Sequence, residues 1–390
     1  MNKERLKNLR NEIDDIDEKL VELFEKRMKA VLCVAEYKKE NNIPVFNEER
    51  EKEVIKKNLN RLKNKNLKVY AEEFFKNTMA VSRKYQSYKI FQDNIENFKE
   101  NNKKNFEVKP LTFDKMIKVG FQGVKGSFSE DALTSYFGEK VDSISFETFD
   151  EVFLNLNNKV LDYAILPLEN SSTGAISEVY DLLRKYELYV IGEKCIKIEQ
   201  NLLALKDADI KNIKEIYSHP QGFKQSSHFL KDYNKVKLIP YYNTAISAKY
   251  IKNQNDITKA AIGSRRASEI YKLQILKKNI NNKKNNHTRF IIVARELDNS
   301  EDNNKISVLF SLEHKAGTLF NVLRYFADND INLLKIESRP TGDENWTYFF
   351  YIDFEGNIKD KSILNALDLI KYNSKYFKIV GQYINDKNCR

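Results

Sequence analysis

Apolar residues recur three and four positions apart from the start of the chain, at Leu6, Leu9, Ile13, Ile16, Leu20 and Leu23, and the stripe continues through Ala30 and Val34. Neither Gly nor Pro occurs over residues 4–40. The spacing predicts one long amphipathic helix. Pro44 interrupts it, Asn47 suits an N-cap, and Glu48 and Glu49 place acid in the first turn of a second helix through Val54, Ile55 and Leu59. A third helical pattern covers residues 70–91, with Phe74, Phe75, Met79 and Tyr85 on its apolar side. Residues 1–92 therefore read as all-helical, and three helices with so long a first member predict pairing with a second chain.

Over residues 93–116 the periodicity fades and Asn and Lys accumulate, which reads as a linker. From Ile117 short apolar runs alternate with polar turns and helical patterns: IKVGF then SEDALTSYF, YAILPL then AISEVYDLLRKY, KLIPYY then TAISAKYIK, and finally RFIIVA. Strand alternating with helix predicts an α/β domain over 117–297. After an acidic break at 298–304, residues 305–385 read as strand, helix, strand, a turn at Thr341-Gly342-Asp343-Glu344, strand, helix, strand. That βαββαβ order is α+β and ferredoxin-like.

Composition narrows the function. The chain has 390 residues with 41% apolar and 31% charged, enough for two or three folded domains. No stretch approaches ~20 consecutive apolar residues and the N-terminus is charged, so a soluble, cytoplasmic protein without a membrane partner is expected. Cys33, Cys195 and Cys389 are far apart and odd in number, and predict neither a disulfide framework nor a metal site. The net charge of +10 divides as +6 for residues 1–92, 0 for 93–116, +6 for 117–297 and −2 for 298–390. So even a spread, in Asn-rich runs with few aromatics, argues against nucleic acid and suits a small anionic substrate.

On the first helix a charged residue, Arg27, interrupts the apolar seam. Lys38 lies about 20° around the helix and ~16 Å along it, so two long side chains can close on a small anion. Arg10 is ~25 Å of helix rise from Arg27, too far to share one small molecule on one helix. If it takes part, it comes from a second chain. Arg10, Arg27, Lys38, Arg50 and Glu51, with Ser82 and Gln86 on the third helix, resemble in type and spacing the substrate set of the all-helical chorismate mutases. The resemblance implies an intertwined dimer. It also implies that the arginines hold the two carboxylates of chorismate, that Lys38 and Gln86 are catalytic donors to the breaking ether oxygen, and that Glu51 binds the ring hydroxyl. Asn47 stands where many members carry Asp.

In the α/β segment hydroxyl and amide residues follow the strands, at Ser127-Phe128-Ser129, Asn170-Ser171-Ser172-Thr173-Gly174, Ser218-His219-Pro220-Gln221 and Asn243-Thr244. Each precedes a helical pattern. Ordinary capping accounts for any one of them, whereas four together point to an anionic ligand between two lobes. Gly120, Gly123 and Gly126 lack dinucleotide spacing, no phosphate-loop motif occurs, and no cofactor or metal is expected.

The order GFQGVKGSFSEDA, LPLENSSTGAI, YSHPQGFKQ, NHTRF resembles the prephenate dehydratases over 117–297. That implies an α/β two-lobed domain of periplasmic-binding-protein-like fold, in which Thr288 protonates the leaving ring hydroxyl. Asn170, Ser171, Thr173, Ser218, Gln225 and Arg289 would bind substrate with it. His219 is the rival acid. The last segment is similar to phenylalanine-binding ACT domains, with Gly317-Thr318-Leu319 opening a helix and Glu337-Ser338-Arg339-Pro340 closing a strand. The whole resembles the fused chorismate mutase/prephenate dehydratase family. It implies conversion of chorismate through prephenate to phenylpyruvate, control by phenylalanine, and a homodimer or higher homo-oligomer. A solute-binding protein, a mutase fused to a dehydrogenase and a nucleic-acid regulator are the rivals; the first lacks an export signal here and the second a nicotinamide fingerprint.

Overall fold

The computed structural model describes residues 3–41, 43, 47–101, 117–340 and 348–389. The chain divides into two compact units, Met1–Asn105 and Phe106–Arg390. The first contains α1 (Lys3–Glu40), α2 (Glu48–Arg61) and α3 (Lys68–Asn101). α1 is the long helix expected from its apolar period, and Asn47 caps α2 by accepting a hydrogen bond from the Arg50 N–H at 2.9 Å. Pro44 lies outside the described residues. α3 runs on through Asn101, into the stretch expected to be linker, because residues 93–101 contain neither Gly nor Pro to stop it. The remainder of that stretch is outside the described residues.

Within one chain α1 is only partly covered. Met28 and Ala35 are buried against α3, whereas Leu6, Leu9, Ile13, Ile16, Leu20 and Leu23 remain exposed.

The second unit opens with β1 (Lys118–Gln122), α4 (Phe128–Phe137), β2 (Asp142–Phe146), α5 (Phe149–Asn157), β3 (Tyr163–Asn170), β4 (Gly174–Ala175), α6 (Ser177–Lys185) and β5 (Tyr189–Lys197). The chain then crosses into a second lobe made of β6 (Asn201–Ala204), β7 (Glu215–Ser218), α7 (Pro220–Gln225), α8 (Ser227–Leu230), β8 (Lys237–Pro240), α9 (Thr244–Gln254), β9 (Lys259–Gly263), α10 (Arg265–Ile270) and β10 (Gln274–Lys277). It returns to the first lobe as β11 (His287–Ala294). The ferredoxin-like segment follows as β12 (Lys305–Ser311), α11 (Thr318–Ala327), β13 (Leu333–Pro340), β14 (Tyr348–Glu355), α12 (Lys361–Tyr372) and β15 (Tyr376–Tyr383). Its expected turn at Thr341-Gly342-Asp343-Glu344 is outside the described residues.

Two sheets result. The second lobe has five strands in the order β10-β6-β9-β7-β8. The first lobe and the C-terminal segment share the other, ordered β13-β14-β12-β15-β5-β11-β3-β1-β2. The seam is β15 beside β5, where Gly381 faces Val190 so closely that a Cβ would strike the Val190 carbonyl. The helix-free face of β12, β14 and β15 completes one core with α5 and α6: Leu309, Tyr351, Val380 and Tyr383 pack among Val152, Phe153, Val179 and Tyr180.

The cysteine expectation requires a correction. Cys195 of β5 and Cys389 form a disulfide, with Cα atoms 5.4 Å apart, and tie the C-terminal tail to the sheet. Their 194-residue separation gives no spacing signal, because the fold alone brings them together.

The two lobes also meet away from their crossing strands. Ser264 Oγ donates to the Gly126 carbonyl at 2.9 Å, and Arg266 reaches Glu130 and Asp131 of α4, each at 3.5 Å. Burial pushes the Asp131 carboxyl up to about 7, against the opposing pull of Arg266. A carboxyl raised on folding binds its proton more tightly in the native state, so stability falls as pH rises from the unfolded value toward 7 and stays lower above it. Asp131→Asn is expected to raise the melting temperature at pH 8 by several degrees and to leave it nearly unchanged at pH 4 in thermal melts.

Candidate active sites

The helical unit contains a cavity of about 260 Å³ between α1, α2 and α3. Arg27, Lys38, Asn47, Arg50, Glu51, Ser82 and Gln86 all line it, with Val31, Val34, Val54 and Met79 as apolar wall. Seven of the eight expected mutase residues are thus brought together within one chain. Arg10 is not: it lies on the exposed part of α1 and outside this cavity.

Arg27 donates to the Ser82 hydroxyl, and Ser82 in turn donates to the Thr78 carbonyl at 2.7 Å. Burial lowers the pKa of Arg27, and burial likewise lowers that of Lys38 while Glu51 opposes it. Desolvated cations around a small cavity gain most from an anionic occupant. Gln86 is buried, and its Oε1 has no hydrogen-bond partner among the described residues. Arg50 is turned outward onto Glu53 at 2.6 Å. Arg83, which the sequence reading did not single out, also lines the cavity and pairs with Glu51. Its position next to Ser82 on the cavity-facing side of α3 was the available signal.

In the second unit Thr288 opens β11 and faces Asn170 at the end of β3. Both are buried. Asn170 Nδ2 donates to Thr288 Oγ1 at 2.9 Å and to Asn286 Oδ1 at 2.8 Å, while Asn170 Oδ1 accepts from the backbone N–H groups of Ser172 and Thr173. The amide orientation is therefore set by its own loop. Thr288 Oγ1 accepts a hydrogen bond, and among the described residues nothing accepts its proton. Ser171 ties the same corner, accepting from His287 N–H at 3.0 Å, and Thr173 Oγ1 reaches Asn170 Oδ1 at 3.3 Å.

The other hydroxyl-rich loops separate into two kinds. Ser127 and Asn243 cap α4 and α9 by accepting from Glu130 and Ile246 N–H groups, which is ordinary capping. Ser218, at the end of β7, is fully buried, and its Oγ is unpartnered among the described residues. His219 caps α7: its Nδ1 accepts from the Gln221 N–H at 3.2 Å, and burial lowers its pKa, so it is neutral and carries its proton on Nε2. Gln225 Oε1 accepts from Gln200 Nε2 at 3.2 Å. Gln200 belongs to one crossing segment and Asn286 to the other, and Asn286 accepts from Ile198 N–H at 2.8 Å, so the crossing segments link the two halves of the site. Gln200 and Asn286 were missed as site residues, although Asn286 directly precedes the His287-Thr288-Arg289-Phe290 run.

Arg289 is placed differently from expectation. Its guanidinium leaves the Thr288 side of the sheet and is buried against Asp353 at 2.7 Å and Glu169 at 3.0 Å. The strand's alternation is the physical reason, since successive side chains point to opposite faces.

At the far end of the C-terminal sheet, Ser311, Phe349 and Arg339 form one row, so the turn opening α11 and the end of β13 leave by the same edge. Gly317 caps α11 at φ +86° with no side-chain cap and open space around it, and Thr318 Oγ1 bonds back to the Glu313 and Lys315 carbonyls at 3.0 Å each. Leu319 is half-buried in the domain core. Glu337 and Arg339 face α6, where Arg339 binds Asp181 and Ser177, while Ser338 and Pro340 are exposed on the other face.

Fold and site together define a fused enzyme, with a helical unit holding an anion cavity and a two-lobed α/β unit whose site is built from hydroxyl and amide groups. Comparison with known proteins agrees. Residues 9–87 match the profile of chorismate mutase type II, 119–298 that of prephenate dehydratase and 306–368 that of the ACT domain. A bifunctional chorismate mutase/prephenate dehydratase of Buchnera aphidicola (subsp. Acyrthosiphon pisum) is 37% identical over 97% of this chain and 96% of its own. One of Aquifex aeolicus is 31% identical over 97% and 98%. The solved prephenate dehydratase of Arthrobacter aurescens, in complex with L-Phe, has TM-score 0.64 and 27% identity, covering 69% of this chain and 90% of its own. The chain belongs to the bifunctional chorismate mutase/prephenate dehydratase family, and carries both activities.

Proposed function

We propose that residues 1–92 rearrange chorismate to prephenate, that 117–297 convert prephenate to phenylpyruvate, and that 305–385 sense phenylalanine. The observation that carries the reading is the Asn170–Thr288 pair, a buried hydroxyl that accepts one hydrogen bond and keeps its own proton to give. As the carboxylate leaves as CO2, its bonding electrons enter the ring and expel the ring hydroxyl, which takes the Thr288 proton and departs as water. Asn170 Nδ2 steadies the negative charge developing on Oγ1. Aromatisation supplies the driving force, so a weak acid suffices. Ser218 and Gln225 from the second lobe would hold the substrate anion as the cleft closes in the manner of a binding protein.

The mutase step is a unimolecular Claisen rearrangement, in which geometry and charge are all the protein supplies. Arg27 and Arg50 would hold the carboxylates in the folded conformation, with Lys38 and Gln86 donating to the ether oxygen. Arg10 would enter from a second copy, and the exposed stripe Leu6–Leu23 on α1 supports an intertwined dimer.

The test of the combined reading is product formation: purified chain given chorismate without nicotinamide should yield phenylpyruvate. Accumulation of prephenate alone would remove the dehydratase half. Phenylalanine at millimolar concentration should lower dehydration and bind in a calorimetric titration. Gly317→Val should weaken that binding at least tenfold, since Val is strained at positive φ and fills the approach to the helix start. Basal dehydration should persist in the variant. Wild-type protein that neither binds nor responds to phenylalanine would leave this domain without a sensing role.

A further inference from the structure

The face that α3 turns to the helical cavity carries Met79, Ser82, Arg83 and Gln86, positions three and four apart that share one side of a helix. Met79, Ser82 and Gln86 are buried, and Arg83 is the charged member of the four. Its guanidinium reaches across to α2 and donates to the Glu51 carboxylate. The two side chains are 32% and 24% exposed, so the pair is set into the cavity wall and water screens it less than an ion pair on the surface.

Charge is unevenly divided around this cavity. Arg27, Lys38, Arg50 and Arg83 supply four cations, whereas Glu51 is the one carboxylate among the described residues that line it. Asn47, the cap one turn before Glu51 on α2, is neutral. Arg50 is engaged outside, on Glu53. Lys38 is not so removed: burial lowers its pKa and the negative charge of Glu51 opposes that effect, so Lys38 feels the same carboxylate that Arg83 binds.

For the rearrangement, where that carboxylate rests decides what two other groups can do. Drawn wholly to Lys38, Glu51 would offset the ammonium charge that the breaking ether oxygen needs, and its oxygens would leave the ring hydroxyl. Held on the α3 side by a guanidinium, it keeps a lone pair for the hydroxyl and leaves the Lys38 donors to the ether oxygen. A planar guanidinium suits the task, because it orients a carboxylate that an ammonium would only attract.

We propose that Arg83 is a positioning residue of the mutase site: it fixes the Glu51 carboxylate on the α3 side of the cavity, so that Glu51 receives the ring hydroxyl of chorismate and Lys38 stays directed at the ether oxygen. The proposal rests on the assignment of Glu51 and Lys38 to those two oxygens. An Arg83 that gripped a substrate carboxylate itself would act on binding, whereas one that works through Glu51 acts on turnover, and only while Glu51 is present.

The experiment is a double-mutant cycle on the full chain with chorismate as substrate. Dehydration of added prephenate by the same sample fixes the concentration, and far-ultraviolet circular dichroism fixes the helical content. Arg83→Ala should lower mutase kcat at least about tenfold, toward the roughly 10²-fold that a misplacement of about 1 Å costs, with KM for chorismate changed by less than about threefold. In a Glu51→Gln background the same substitution should lower kcat by less than about twofold. If Arg83→Ala loses helical content, Arg83→Gln, which keeps a long polar side chain without the charge, takes its place in the cycle with the same expectations. An unchanged kcat, a loss confined to KM, or equal falls in both backgrounds overturns the positioning role. Normal turnover in Glu51→Gln alone overturns instead the assignment of Glu51 on which it rests.

Discussion

Thr288→Val should reduce prephenate turnover roughly 10²–10⁴-fold, the range that a positioned proton donor supplies, while KM shifts by no more than about threefold. Valine nearly conserves the volume, so the β11 strand and its core neighbours are undisturbed and only the proton and its acceptor oxygen are lost. The same change leaves Asn170 Nδ2 without one acceptor, but Asn286 Oδ1 at 2.8 Å and the His287 carbonyl at 3.1 Å remain to it. Folding should therefore survive. Steady-state kinetics on prephenate, with mutase activity measured on the same sample, gives the answer. His219→Asn is the companion variant: asparagine can still cap α7, so turnover should stay within about threefold of wild type. Retained turnover in Thr288→Val with loss in His219→Asn would reverse the assignment.

Arg27→Ala should lower mutase kcat/KM by about 10²-fold or more, the scale of removing a charged transition-state donor, and leave dehydration of added prephenate intact. Arg27 is half-buried in the cavity wall and, among the described residues, its only side-chain hydrogen bond is to Ser82, so its charge is available to a substrate carboxylate. The two sites are in separate compact units, which is why the dehydratase should be indifferent. Mixing this variant with Arg10→Ala, each inactive as a mutase, should restore activity in verified heterodimers, because one hybrid site receives both arginines. No recovery there would confine the site to one chain.

What could be read from the chain follows the range over which each feature is encoded. α1 announces itself through a 3.6-residue period over its whole length, and the cavity residues are legible because helical spacing places them. The βαββαβ segment is legible for the same reason, as strong apolar runs broken by helical ones. β2, β6 and β10 are not legible, because DSISF, NLLA and QILK are too short to show a period, although the Thr148–Glu151 capping box marks the start of α5. The surroundings of Arg289 are hidden for a different reason. Its neighbours in the motif suggested substrate, but its partners are Glu169, Glu193 and Asp353, set by strand order across the shared sheet and not by local sequence. The Cys195–Cys389 bridge is invisible on the same ground.

The shared sheet also imposes an order of events on the ribosome. The helical unit makes its contacts within the first 105 residues and can fold once they have emerged. The sheet of the first dehydratase lobe cannot close in the same way: β3 waits for β11, and β5 keeps a bare edge until β15 has been synthesised. One unit can therefore fold early in translation and the other only near its end, and during that interval β5 carries an edge that β15 later covers.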